Sequence, residues 1–246
     1  MELLVVLTFV ISLASSILSG ISGGGGGFIM TPYFIFVGLT PAQSLATTKF
    51  GALGTAFGSL TAFKGKGLVR RKLVVPFMAI TLVCALIAAW LIPQIDAGVF
   101  QKVIGVALLL LIPTIFIKRA SFQPGERTRG WVTVGFVAYA VFSFLQALLG
   151  TGLGSILVLI LMFLFGLNAL EASATKRVSQ SVQAFVLFIL LSLQGLVVWA
   201  HGIASLAGSM IGSHIGTHIA IKKGAGFVKI MLALVMATSG VTLLLF

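Results

Sequence analysis

Apolar residues run almost without interruption along this chain, and polar ones gather in short clusters between them. Predominantly apolar stretches lie at about 3–21, 28–38, 40–63, 73–92, 101–117, 131–149, 155–166, 168–191, 203–221 and 227–246. Most have the roughly 20 residues that a helix needs to cross a bilayer. Residues 28–38 and 155–166 do not, since at about 1.5 Å per residue each reaches only about half-way. Each follows a glycine-rich interruption, Ser22 to Gly27 in one case and Gly150 to Ser155 in the other. Lipid offers no hydrogen bonds to a backbone, so a broken helix at membrane depth is tolerated only inside protein or beside a water-filled cavity. The pattern predicts an all-α polytopic membrane protein with glycine-broken helices, and transporters place their substrates at such breaks.

The two interruptions belong to a longer match at a constant offset of 128 residues. Gly38-Leu39 pairs with Gly166-Leu167, Ala46-Thr47 with Ala174-Thr175, Lys49 with Arg177, Phe57 with Phe185, and Gly67-Leu68-Val69 with Gly195-Leu196-Val197. After a slip of one residue, Phe100-Gln101-Lys102 meets Phe227-Val228-Lys229. An ancient duplication accounts for this. It divides the chain into a first transmembrane repeat at 1–117, a polar cytoplasmic linker at 118–130, and a second transmembrane repeat at 131–246.

Composition agrees, because 59% hydrophobic residues, 8% charged residues and a mean hydropathy of +1.20 lie far outside the soluble range. The net charge of +12 does not point to nucleic acid. Its basic residues sit in short loops, which is how cytoplasmic loops are marked. Residues 64–72 carry five of them, whereas the counterpart Ser192 to Ala200 carries none; conversely, Lys222 and Lys223 correspond to a first-half loop whose only charge is Asp96. Opposite orientation of the halves satisfies this, with an odd number of crossings each and the broken segment as a re-entrant excursion. The alternative is a parallel repeat in which Lys222 and Lys223 violate the rule. The segment from Leu3 to Ile21 lacks a basic flank and has a counterpart at Trp131 to Leu149, so it is expected to remain in the mature protein. One cysteine, Cys84, excludes an internal disulfide and reads as a small buried hydrophobe.

A glycine cluster after the first apolar segment, Pro32 soon after it, the turn and helix start from Gly38 to Thr47, the loop from Gly65 to Lys72, and a weaker second copy of the same order together resemble the TauE/SafE family, also called TSUP. The resemblance covers nearly the whole chain, departing where Ile160 stands for Pro32 in the second copy. The resemblance implies a multi-pass inner-membrane permease built from a duplicated unit that exports sulfite, organosulfonates or related sulfur oxyanions.

The basic residues that loops do not absorb carry the site. Lys49, its mate Arg177 and the neighbouring Lys176 lie inside the long helices starting near Thr40 and Asn168, where a cation costs at least about 2.5–3.5 kcal/mol. Half-helices beginning at Phe28 and Ser155 would aim N–H groups and positive dipole ends at a bound anion. Gly24, Gly26, Gly152 and Gly154 would let an oxyanion approach that backbone. Lys49, Lys176 and Arg177 would neutralise it, Arg177 with a fork suited to two sulfonate oxygens. Thr47, Thr48, Thr175 and Gln43 are candidate donors, against the ordinary alternative of a bond back to the helix backbone. Glu171 either favours its helix start, alone or paired with Lys176 or Arg177, or couples protons. His214 and His218 share a helix face with no cysteine or acid nearby, so no metal site is expected, and His201 reads as a loop residue. No cofactor is called for. Neither a metalloprotease, a nucleophile-elbow nor a phosphate-loop motif occurs, which argues against an enzyme.

Small residues at Gly208, Gly212 and Gly216, matched by Thr81, Ala85 and Ala89, allow close helix packing inside the chain or a homodimer seam. A non-transporting accessory or assembly subunit would use such faces to hold partners and is the alternative to a transporter of small sulfur oxyanions.

Overall fold

A computed structural model describes residues 2–24, 27–94, 129–149 and 153–245. The apolar stretch at 101–117, Asp96 and most of the linker at 118–130 lie outside them. Among the described residues there is helix and no strand. Helix α1 spans Glu2–Ser22, α2 Gly27–Phe36, α3 Pro41–Phe63 and α4 Arg71–Leu91, followed by a 3-10 turn at Ile92–Gln94. Helices α5 (Arg129–Leu149), α6 (Gly154–Leu164) and α7 (Ala169–Leu193) follow, then α8 (Trp199–Leu245), which is interrupted at Gly224 (φ 84°). Among the described residues, four helices are long and apolar enough to cross a membrane: α1, α4, α5 and α7. Large apolar side chains such as Val10, Trp90 and Ile203 lie exposed on their outer faces and that of α8, as lipid contact requires.

The two long helices after the short ones begin alike. Thr40 caps α3, accepting from the N–H of Gln43 while the Gln43 side chain accepts from the N–H of Thr40; Asn168 and Glu171 form the same capping box on α7. The turns before these caps contain Gly38 (φ 99°) and Gly166 (φ 73°), a left-handed backbone open to glycine at little cost.

Contacts set the helix directions. Near their starts, α1 and α8 meet where Thr8 Oγ1 hydrogen-bonds His201 Nδ1 at 2.8 Å; farther along, Thr217 donates to the carbonyl of Gly20 and to Ser59 Oγ of α3. Helices α1, α3 and residues 199–223 therefore run parallel. Thr81 donates to the Ser179 carbonyl, Tyr139 Oη is 2.6 Å from Ser179 Oγ, and Gln183 donates to the Ser143 carbonyl, so α4, α5 and α7 also run parallel to one another. The two sets are antiparallel, because the start of α7 meets the loop after α3 and the start of α3 meets the loop after α7.

Both short helices fold back. Tyr33 Oη of α2 reaches Thr8 Oγ1 (2.9 Å) and the Leu4 carbonyl (3.1 Å), beside the first turns of α1. Phe165, just after α6, packs edge-on against Phe136 near the start of α5. The two hairpins thus enter the bundle from opposite ends, and their glycine segments meet in the middle: a β-carbon on Gly24 would lie 2.6 Å from the carbonyl carbon of Gly154. The exposed basic residues at 64–72 and at Lys222 and Lys223 all fall at one end of the bundle, where α3 and residues 199–223 finish.

Close packing needs the small residues. Gly208, Gly212 and Gly216 press on the α1 backbone at Phe9, Leu13 and Ile17, and Gly51, Gly54 and Gly58 of α3 press on α8 at Ser205, Leu206 and Met210. Thr81, Ala85 and Ala89 are buried within the chain as well. Both small-residue faces are consumed inside one molecule, which leaves neither as a dimer seam.

Candidate functional site

A cavity of about 60 Å³ lies beside the Gly24 and Gly154 segments. Helix α1 lines it with Ser15, Ser16 and Ser19, α3 with Thr48, Lys49 and Thr55, α5 with Gln146, α7 with Arg177, Gln180 and Gln183, and α8 with Ser205 and Ser209. Gly24, Gly27, Gly51 and Gly154 and the small side chains of Ala52, Ala56 and Ala184 also stand in the wall, and Met30 is the one large apolar side chain among the described lining residues. Helix α3 is the less apolar for carrying this polar face.

Lys49 and Arg177 are related by the sequence offset, and each serves the other half. Lys49 Nζ donates to the Gln146 carbonyl at 2.9 Å; Arg177 Nη2 donates to the Ser19 carbonyl at 2.5 Å and to Ser19 Oγ at 2.9 Å. Gln146 lies in the last turn of α5 and Ser19 in the last turn of α1. The final carbonyls of a helix have no partner within it and form the negative pole of its dipole. Each basic side chain therefore neutralises the pole that would repel an anion. The following half-helices start at Gly27 and Gly154, both in the cavity wall, and present their positive poles there. The acids among the described residues stand elsewhere: Glu2 is exposed in the first turn of α1, and Glu171 pairs with Arg70 at 2.5 Å. The wall is rich in donors and positive, which suits a small anion.

Of the residues singled out from the sequence, Lys49, Arg177, Thr48, Gly24 and Gly154 line the cavity. Gly26 and Gly152 lie outside the described residues. Lys176 is fully buried but stands behind the wall, its Nζ donating to the Gly23 carbonyl at 3.0 Å. Thr47 and Thr175 are not in the wall; their hydroxyls accept from the backbone N–H groups of Val198 and Arg70. Gln43 and Glu171 are occupied by their capping boxes at opposite ends of the bundle, and Glu171 takes Arg70 rather than Lys176 or Arg177 as its partner. His201, expected in a loop, belongs to the first turn of α8, which begins earlier than the apolar pattern suggests. His214 and His218 meet edge-on with ring centroids 4.6 Å apart, and no metal-holding group of three occurs among the described residues.

Sequence reasoning missed the serines of α1 and α8, Thr55 of α3 and the glutamines of α5 and α7. For the α1 serines a signal was present: Thr8, Ser12, Ser15, Ser19 and Ser22 recur every three or four residues along an otherwise apolar helix, which marks one polar face.

Residues 7–243 match the sulfite exporter TauE/SafE family. The chain belongs to that family. As a TauE/SafE protein it is a membrane transporter. It is 28% identical to the probable membrane transporter protein YfcA of Escherichia coli, with 98% of this chain and 90% of that protein covered. It is 25% identical to a probable membrane transporter protein of Haemophilus influenzae, with 94% and 91% covered. The probable membrane transporter protein ORF9 of a Sinorhizobium species is also 25% identical, with 98% and 92% covered. No solved structure matches this TauE/SafE chain.

Proposed function

We propose that the protein exports a small sulfur oxyanion, sulfite or an organosulfonate, across the inner membrane, and that the central cavity is its binding site. The observation that carries this reading is the pairing of Lys49 and Arg177 in one polar cavity, each on the terminal carbonyls of the opposite broken helix, with no acid in the wall among the described residues. Two positive half-helix ends reinforce that field. The fold is read as two inverted copies of one unit, supported by the antiparallel run of α3 against α7 and by the matched capping boxes. The basic end is then cytoplasmic.

Export of a net negative charge is favoured by an inside-negative potential by about 2.3 kcal/mol per charge per 100 mV. No nucleotide motif is needed for it. Purified protein in liposomes is expected to pass sulfite or a short sulfonate in a voltage-dependent manner without ATP. Absence of flux across a panel of sulfur and other oxyanions would sink the proposal. An accessory-subunit role loses its main support, since the small-residue faces are already filled within the chain.

A further inference from the structure

Arg177 has two demands on it. Its Nη2 rests on Ser19 at the end of α1, and its side chain lines the cavity where the anion is placed. If Arg177 turned to the anion, the end of α1 would lose its partner and direct an unneutralised negative pole at the site. The neighbouring residue resolves this. Lys176 lies on the next position of α7, fully buried, outside the cavity wall, with its Nζ on the Gly23 carbonyl just past the end of α1. A β-carbon on Gly154 would run into that same Nζ, so the Lys176 head sits in the crook between both glycine segments. The first half has no such residue: the position matching Lys176 is Thr48, which faces the cavity and donates to the Ser44 carbonyl.

We infer that Lys176 is a positioning residue that holds the end of α1 so that Arg177 is free to bind the anion. This rests on the proposed anion site. Lys176 does not touch the anion; it acts through Arg177, on the first break only. Lys49 has no such helper and keeps the end of α5 as its sole backbone partner among the described residues.

The test is a double-mutant cycle on purified full-length protein, with sulfite as the probe, followed to concentrations high enough to register a thousandfold loss of affinity. Lys176→Met is expected to weaken sulfite binding about tenfold in the parent and in a Lys49→Gln background, but less than twofold once Arg177 is Gln, because coupling appears only between residues that act through one another. Lys176→Arg, which keeps the donor, is expected to stay within about threefold of the parent. Equal losses from Lys176→Met in the Arg177→Gln and Lys49→Gln backgrounds would overturn the inference, as would a Lys176→Met protein that binds sulfite like the parent. A loss of affinity accompanied by a fall in melting temperature of more than about 5 °C would mark a merely structural role. Failure of the parent itself to bind sulfite or any other oxyanion would count against the anion site rather than against this division of labour.

Discussion

The hydroxyl of Thr175 accepts a hydrogen bond from the backbone N–H of Arg70 at 3.0 Å, joining the start of α7 to the loop after α3. The repeat-related bond is also formed, from the N–H of Val198 to the hydroxyl of Thr47 at 3.2 Å, at the other end of the bundle. Each half thus clasps the other with the same residue type at the same register. Both threonines lie far enough into their helices to have suggested a substrate role, and both are spent on backbone.

Thr175→Val and Thr47→Val should therefore cost stability and spare the site. Each leaves a backbone N–H without its acceptor, at about 1–3 kcal/mol. Thermal melts should fall for both variants while sulfite affinity stays within about twofold. A large loss of affinity at unchanged stability would return these residues to the binding site.

Lys49→Met and Arg177→Met should behave in the opposite way. Losing one charge-assisted hydrogen bond to the anion is worth about 1.5–3 kcal/mol, a weakening of roughly ten- to 150-fold. Stability should change little, because the terminal carbonyl left unpaired, at about 1–3 kcal/mol, is offset by removal of a buried charge whose insertion cost at least about 2.5 kcal/mol. Binding and melting measured on the same preparations decide the matter, and variants that bind sulfite like the parent would exclude this cavity as the site.

The contact between the two glycine segments should tolerate no side chain. Gly24→Ala would place its β-carbon 2.6 Å from the carbonyl carbon of Gly154, and Gly154→Ala would strike the Lys176 nitrogen and lie 3.2 Å from the α-carbon of Gly24. Both are expected to abolish flux in liposomes. Gly38→Ala is the control, since nothing lies within 4 Å of its β-carbon and only the left-handed backbone (φ 99°) is strained, a cost of roughly 1–2 kcal/mol. Its flux should persist.

Loop accessibility should divide along the two ends of the bundle. On a Cys84→Ala background, single cysteines at Lys66 and Lys222 should be protected from an impermeant thiol reagent in intact cells, and those at Leu39 and Leu196 should react. Labelling of position 222 from outside together with protection of position 196 would restore the parallel repeat.

Much of this was legible in the linear pattern. Span lengths follow from bilayer thickness, and the end of α1 before Gly23 and Gly24 follows from glycine's poor fit to a helix interior, so both are local properties of the chain. The shared offset of 128 residues marked Lys49 and Arg177, two basic side chains that line one cavity. Only the tertiary structure decided which neighbours share that cavity. Lys176 and Arg177 are adjacent in sequence, yet successive positions on a helix point about 100° apart, so one lines the site and the other turns behind it onto Gly23. The polar face of α1 likewise acquires meaning only when α3, α5, α7 and α8 close around it. The capping of each broken helix by a residue from the opposite half depends on antiparallel packing across the whole chain, a relation between distant residues that no local pattern contains.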